Sequence, residues 1–170
     1  MSIIEASSDV DVPIRVAYNQ WTQFESFPRF MDGVRRIDRP QSSMTHWVTR
    51  LGPMTHEFDA EIVEQRPDDR VTWRSLGRPV HSGTVTFVEL DEECVRVTLR
   101  ITYEPHGFVE RAGDALGVVR RRVRDDLKSF KEYIEGQGRE TGEWRGTISD
   151  SRVRPNSGQK HPQVPNWPTG

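Results

Sequence analysis

The chain has 170 residues and a formal net charge of −2 at pH 7, with 29% charged and 34% hydrophobic residues. This balance is typical of a water-soluble protein with one domain, and the near-neutral charge gives no sign of a nucleic-acid-binding surface. No apolar run approaches the length of a membrane span and no signal peptide opens the chain, so we expect a cytoplasmic protein. Cys94 is the only cysteine, which excludes an internal disulfide and a thiolate metal cluster.

The first thirty residues predict one strand followed by two short helices. Residues 2–11 have the pattern of an edge strand, and Pro13 suits the first turn of a helix. A helical face with spacings of one to four residues follows: Val16, Ala17, Gln20 and Trp21. Three phenylalanines then recur every third residue, interrupted by Pro28, which favours a second short helix or turn: Phe24, Phe27 and Phe30.

Six strands are predicted in the next part of the chain. They cover residues 34–39, 45–51, 55–65, 70–76, 82–90 and 94–104. In several of them apolar and polar residues alternate, as in a strand with one buried face. Turn-forming residues such as Gly52-Pro53 separate the strands. The pattern therefore indicates an antiparallel sheet that is apolar on one side.

One long helix is predicted next, up to about Glu135. Its apolar residues are spaced by three or four and form one stripe: Leu116, Val119, Val123, Leu127, Phe130 and Ile134. Glycines at 136 and 138 suit the end of a helix, so we predict a domain over residues 1–136. Residues 137–170 hold four of the eleven prolines, five basic and three acidic residues, and few aliphatic ones. We expect them to form an extended, partly disordered basic tail.

This order of elements defines an α+β helix-grip fold. A seven-stranded antiparallel sheet would wrap around the long C-terminal helix, with two short helices after strand 1. Local motifs agree with it, at residues 58–62 (FDAEI), 71–75 (VTWRS), 82–87 (SGTVTF), 103–105 (YEP) and 126–134 (DLKSFKEYI). In these motifs the chain resembles the SRPBCC superfamily, the START and birch-allergen-like fold, and within it the polyketide cyclase/dehydrase and coenzyme-Q-binding START-like branch.

The resemblance covers residues 1–136 and implies a fold more firmly than an activity. The same scaffold serves cyclases, lipid carriers and binding proteins, and the family has no universal catalytic triad to transfer. The resemblance implies a cavity between sheet and helix that accepts a hydrophobic molecule. We therefore expect no cofactor, and the five histidines show no spacing typical of a metal site.

Strand parity and the helical stripe together predict the residues that would bind a ligand. They are Trp47, Phe58, Trp73, Ser75, Phe87 and Tyr103 from the sheet, with Leu116, Val119 and Val123 from the helix. Aromatic side chains in this set would form a flat apolar wall for a ring-bearing ligand. The alternative is that all of them simply pack against the helix as core, and the pattern leaves both readings open.

His81 and Tyr103 are the candidate catalytic residues. A histidine exchanges a proton near pH 7, and a tyrosine can donate one to a developing enolate. In the alternative interpretation, His81 lies at an exposed strand end and Tyr103 is a core residue with its hydroxyl at the rim. Whether the protein is an enzyme therefore stays open.

Three hypotheses about function follow. The first is binding or transport of a hydrophobic small molecule such as a lipid, quinone or polyketide. The second is an aromatase/cyclase-type polyketide cyclase/dehydrase. The third is a non-catalytic protein that binds a protein partner through its tail. The first predicts a small-molecule partner, with no nucleic acid and no integral membrane segment.

Overall fold

The computed structural model describes residues 2–51, 54–77, 80–103 and 112–155, without the side chains of 51, 54, 103 and 112–116. The helices are α1 (Ile14–Trp21), a 3₁₀-helix (Phe24–Arg29) and α2 (Ala112–Gln137). The strands are β1 (Ser2–Val10), β2 (Val34–Gln41), β3 (Met44–Leu51), β4 (Met54–Arg66), β5 (Arg70–Leu76), β6 (His81–Asp91), β7 (Cys94–Tyr103), β8 (Thr147–Ser149) and β9 (Arg152–Arg154).

The main sheet has the strand order β1-β7-β6-β5-β4-β3-β2, and all neighbouring strands are antiparallel. The helix-grip fold, its seven strands and the two short helices after strand 1 are thus confirmed. Two strands of three residues each, β8 and β9, extend the sheet beside β4. They come from the segment that the sequence assigned to the tail.

The long helix covers the apolar face of the sheet. Its stripe is buried at Val123, Leu127, Phe130 and Ile134. The sheet side of this core follows the alternation in the sequence, with buried residues at Ile62, Val71, Val85, Phe87, Val97 and Leu99. The two periodicities therefore meet as expected, one with a period of two and the other with a period near 3.6.

An aromatic cluster fills one part of the space between sheet and helix. Trp21 from α1 lies at its centre, with ring centroids 5.3 Å from Phe27, 5.0 Å from Phe130 and 6.3 Å from Phe87. The contacts are edge-to-face, the geometry that aromatic quadrupoles favour. Because the two short helices insert these rings under α2, aromatic side chains pack against one another in this part of the interior.

Residues 139–155, which we call the strap, pack against the fold. Asn19 on α1 donates to the side chains of Glu140 and Glu143, at 2.9 and 3.2 Å. The Gln20 side chain donates to Thr141 Oγ1 at 3.1 Å and accepts its backbone N–H at 2.8 Å. Because Asn19 and Gln20 are buried, these bonds satisfy polar groups that would otherwise be costly to bury.

The strap also supplies apolar and charged contacts. Ile148 is fully buried and is paired with Gln65 on β4. Arg145 forms an ion pair with Asp68 at 2.8 Å. The guanidinium of Arg39 lies 5.0 Å from the centre of the Trp144 ring. The sequence placed 137–170 outside the 1–136 domain, whereas the structure packs 139–155 onto it. Residues 156–170 lie outside the described part.

Candidate functional site

A cavity of about 220 Å³ lies between the inner face of the sheet and α2. Aromatic and aliphatic side chains from the 3₁₀-helix, the sheet and α2 make up most of its lining. The lining residues are Trp21, Phe24, Phe27, Met31, Gly33, Val34, Thr45, Trp47, Thr49, Ile62, Val71, Trp73, Leu99, Ile101, Val119, Arg122, Val123 and Asp126. The described residues thus leave a mainly apolar space between the sheet and α2.

Two tryptophans from neighbouring strands form the sheet side of the cavity. Trp73 on β5 pairs directly with Gly83 on β6, and its indole lies across that glycine. A Cβ atom at position 83 would come within 2.2 Å of the indole ring, so only glycine leaves room for this arrangement. Trp47 on β3 is held by its ring N–H, which donates to Thr45 Oγ1 at 2.8 Å. Thr45 in turn donates to the Ala60 carbonyl at 3.0 Å, which fixes the orientation of the pair.

Polar groups occur at a few points of the lining, and two of them are charged residues on α2. Arg122 and Asp126 lie four residues apart, one helical turn, and both line the cavity. The pKa of Asp126 is raised to about 7, chiefly by burial; Arg122 opposes this rise, and the nearby carboxylates of Asp32 and Asp125 add to it. The Asp126 carboxyl therefore changes its charge near neutral pH, which is unusual for an aspartate.

Four of the nine residues predicted to bind a ligand line this cavity: Trp47, Trp73, Val119 and Val123. Phe58 lies behind Trp47 and stacks on it, with ring centroids 5.8 Å apart and an angle of 10°. Phe87 is buried in the aromatic cluster instead, with its ring 5.4 Å from that of Tyr18. These two departures have one cause, because parity decides the face of a residue but not which neighbours fill the space above it.

The remaining predicted residues are placed as follows. The hydroxyl of Ser75 accepts the backbone N–H of His81 at 2.9 Å, which joins β5 to the start of β6. The His81 ring makes an edge-to-face contact with Phe58, with centroids 4.8 Å apart, and is not part of the cavity lining. The side chains of Tyr103 and Leu116 lie outside the described residues.

Arg122 and Asp126 are the site residues that the sequence analysis missed. A signal for Asp126 was present, since it follows Val119 by seven residues and Val123 by three and so falls on the apolar stripe of the helix. A charged residue on such a stripe has two explanations: either the buried face of the helix has been assigned wrongly, or the side chain lines an internal cavity. The cavity shows that the second explanation holds here.

The described ranges contain neither a cluster of metal-binding side chains nor a helix that could span a membrane. Within 2–51, 54–77, 80–103 and 112–155, no group of three or more His, Cys, Asp or Glu residues is placed to hold a metal ion. In the same part of the chain, no helix combines the length and the apolar character needed to cross a membrane.

Comparison with known proteins agrees with this architecture. Residues 10–132 match the family described as "Polyketide cyclase / dehydrase and lipid transport". The chain belongs to this family. One relative of this chain is an uncharacterised 17.2 kDa protein of Streptomyces lincolnensis, from the melC2-rnhH intergenic region. It is 48% identical over 149 residues, which cover 87% of this chain and 99% of the relative.

Solved structures with the same fold include an aromatase/cyclase. The Zhui aromatase/cyclase from a Streptomyces species superposes with a TM-score of 0.70 at 15% identity. The superposition covers 84% of this chain and 98% of the Zhui chain. A protein of Deinococcus radiodurans gives a TM-score of 0.61 at 25% identity, with coverages of 79% and 99%. At 15% identity the likeness to Zhui shows the shared fold alone.

Proposed function

We propose that this protein binds an apolar, ring-bearing small molecule in the cavity between the sheet and α2. The observation that carries the proposal is the cavity itself, about 220 Å³ of space with a mainly apolar lining between the sheet and α2. Its apolar lining offers water few hydrogen-bond partners, so the space suits an apolar ligand better than solvent.

The size and lining of the cavity define the ligand class. A dry apolar cavity of about 150 Å³ is large enough to hold benzene. The cavity here is about half as large again, at about 220 Å³, which suits a molecule with one or two fused rings. Trp47 and Trp73 offer flat aromatic surfaces to such rings. Burial of the ligand would contribute about 25 cal/mol per Å² of apolar surface.

A second candidate function is ring closure of the aromatase/cyclase type. Family membership and the presence of Asp126 in the cavity both favour it, because a carboxyl with a pKa of about 7 can exchange a proton at neutral pH. His81, one of the two sequence-based candidates, does not line the cavity, and the side chain of the other, Tyr103, lies outside the described residues. Binding without reaction needs only the apolar lining, so it is the function that the geometry supports best.

The cellular setting and the domain assignment complete the proposal. We propose a cytoplasmic protein, supported by its single cysteine, with a small molecule rather than a nucleic acid as its partner. Carrying the bound molecule between two places in the cell is consistent with the family description and needs no further site. The domain of residues 1–136 would function together with the strap that packs on it.

Native mass spectrometry of the protein purified from its own host tests the proposal. We expect a co-purified apolar molecule that is retained by the Val118→Phe variant and lost from the Val119→Phe variant. Val119 lines the cavity, whereas Val118 is 57% exposed on the same helix and is the matched control. A ligand retained equally by both variants would place the binding site elsewhere. Two co-purified molecules whose masses differ by one water would favour the cyclase.

A further inference from the structure

An aromatic ring of the strap is connected to the cavity wall through an arginine. The Arg39 guanidinium lies 5.1 Å from the centre of the Phe24 ring and 5.0 Å from the centre of the Trp144 ring. Phe24 lines the cavity, whereas Trp144 does not. We infer that Trp144 is a positioning residue, which holds Phe24 in place through Arg39 and so limits the size of the ring system that the cavity accepts. The inference rests on the proposed binding function and adds a determinant of ligand size.

The Arg39 guanidinium is held between the two rings by backbone groups. Its Nη1 donates to the Thr22 carbonyl at 3.3 Å, and its Nε donates to the Ser42 carbonyl at 3.1 Å. Burial lowers the pKa of Arg39 to about 10, so the group keeps its charge at neutral pH in partly desolvated surroundings. Contacts between a cation and an aromatic face strengthen on desolvation. Both ring contacts therefore help to stabilise this arginine in its position.

The strap fixes the Trp144 ring beside Arg39. The Trp144 backbone N–H donates to Thr22 Oγ1 at 3.0 Å. Thr22 is buried at the end of α1, two residues before Phe24. The indole also packs against Gly146, because a Cβ atom at that position would come within 2.5 Å of the ring. Thr22 thus binds the strap through its hydroxyl and Arg39 through its carbonyl, which joins the two at the start of the 3₁₀-helix.

Loss of the Trp144 ring would change the end of the cavity that the 3₁₀-helix forms. Arg39 would keep one aromatic partner and would be free to turn toward solvent, since it is only half-buried. Phe24 would then lack the group that packs against its ring from outside the cavity, and the ring would have room to move outward. Residues 10–132 match the family, and the strap begins at residue 139, so this limit on ligand size comes from outside the matched region.

Titration calorimetry with two hydrocarbons of different size tests the inference. Tetralin has two fused rings and fluorene has three, and the protein is the titrant because fluorene is sparingly soluble. We expect the wild type to prefer tetralin, since a cavity of about 220 Å³ suits one or two rings. In Trp144→Leu, tetralin binding should weaken about five- to tenfold, because the ligand must then order Phe24 without the support of one cation–π contact. Fluorene binding should stay unchanged or become tighter.

Trp144→Phe and Glu143→Gln are the matched controls. Phenylalanine keeps an aromatic face for Arg39, so Trp144→Phe should stay within about twofold of the wild type for both compounds. Glu143 precedes Trp144 and contacts Asn19 and Arg15 rather than the two rings, so Glu143→Gln should keep the wild-type preference for tetralin. An equal loss of affinity for both compounds in Trp144→Leu would indicate a general effect on folding and would overturn the inference.

Hydrogen exchange of the wild type tests the same coupling without a variant. If the docked strap favours tetralin binding, bound tetralin must favour the docked strap by the same factor, because coupling between two sites is reciprocal. Saturation with tetralin should therefore slow exchange at the Trp144 and Thr141 amides, which donate to the side chains of Thr22 and Gln20. The Asp69 amide, in the turn between β4 and β5, is the control and should not change. Equal exchange of the strap amides with and without tetralin would contradict the coupling.

The outcomes distinguish this inference from the proposed function. If the wild type binds tetralin and Trp144→Leu keeps the same preference for tetralin over fluorene, Trp144 has no positioning role and the binding function stands. If Trp144→Phe behaves like Trp144→Leu, the aromatic face is not the cause and the inference is overturned. If the wild type binds neither hydrocarbon, the binding function fails and the inference fails with it.

Discussion

Replacing Asp126 by asparagine should change the pH dependence of stability in a defined direction. The folded-state pKa of this carboxyl is raised to about 7 from an ordinary value of 3.8, chiefly by burial. Between these two values the folded protein holds a proton that the unfolded chain has released. The free energy of unfolding of the wild type therefore falls as the pH rises through this window, and the loss is complete above pH 7. Asparagine does not titrate, so the variant lacks this loss.

The magnitude follows from the size of the pKa difference. Each pKa unit corresponds to about 1.4 kcal/mol, so the rise from 3.8 to about 7 sets an upper limit of about 4 kcal/mol. Part of that limit falls below pH 5, which leaves about 2.5 kcal/mol between pH 5 and 8. The carboxyl is only partly buried and solvent screens it, so we expect a measured difference of about 1–2 kcal/mol.

Urea unfolding of both proteins at pH 5 and pH 8 measures this difference. Other titrating groups are common to the two proteins and cancel when the variant is compared with the wild type at each pH. We expect the free energy of unfolding of Asp126→Asn to rise by about 1–2 kcal/mol relative to wild type between pH 5 and pH 8. Parallel stability profiles would refute the argument that the cavity wall holds a partly desolvated carboxyl.

Two further predictions concern the strap and the cavity wall. Ile148→Ala should lower the free energy of unfolding by about 2–4 kcal/mol in urea unfolding, because Ile148 is fully buried. A loss below about 0.5 kcal/mol would be typical of a surface site and would contradict the packing of the strap. Gly83→Ala should displace the Trp73 indole, because the new Cβ would come within 2.2 Å of it. The displacement should weaken tetralin binding in a calorimetric titration. Unchanged binding would show that the position of Trp73 does not define the cavity.

The sheet was predictable because its alternation survives in most strands. Val85 and Phe87 on β6 and Val97 and Leu99 on β7 are buried as their spacing indicates. One exception is β4, where the register with β5 shifts between Ile62 and Glu64. The shift reverses the alternation and brings Gln65 into the core, where its side-chain N–H donates to the Tyr18 hydroxyl at 3.1 Å. A bulge of this kind leaves no mark in a pattern of apolar and polar residues.

The cavity was less predictable, because its shape depends on packing between distant segments. Parity directs both Trp73 and Phe87 inward, yet only Trp73 reaches the cavity, since Trp21 and Tyr18 from α1 cover Phe87. Sequence spacing contains no information on which of several inward rings will be covered. Asp126 was recoverable in principle, because a helical wheel places it on the apolar stripe.

The strap escaped prediction for a different reason. Its attachment relies on side-chain hydrogen bonds from Asn19 and Gln20 and on one buried aliphatic residue, Ile148. Neither feature is periodic, and polar residues with prolines nearby are typical of an extended tail. The polar residues on the inner face of α1 were the indirect sign that a partner segment was required, because buried amides must be hydrogen-bonded.

Calorimetric titration of tetralin into the wild type and the Val119→Phe and Val118→Phe variants tests the central claim most directly. The account predicts saturable binding to one site in the wild type and in Val118→Phe, with a negative heat-capacity change from apolar burial. It predicts no measurable binding to Val119→Phe, since the added ring would occupy the cavity that Val119 lines. Undiminished binding by Val119→Phe, or the absence of saturable binding by the wild type, would contradict a ligand site between the sheet and α2.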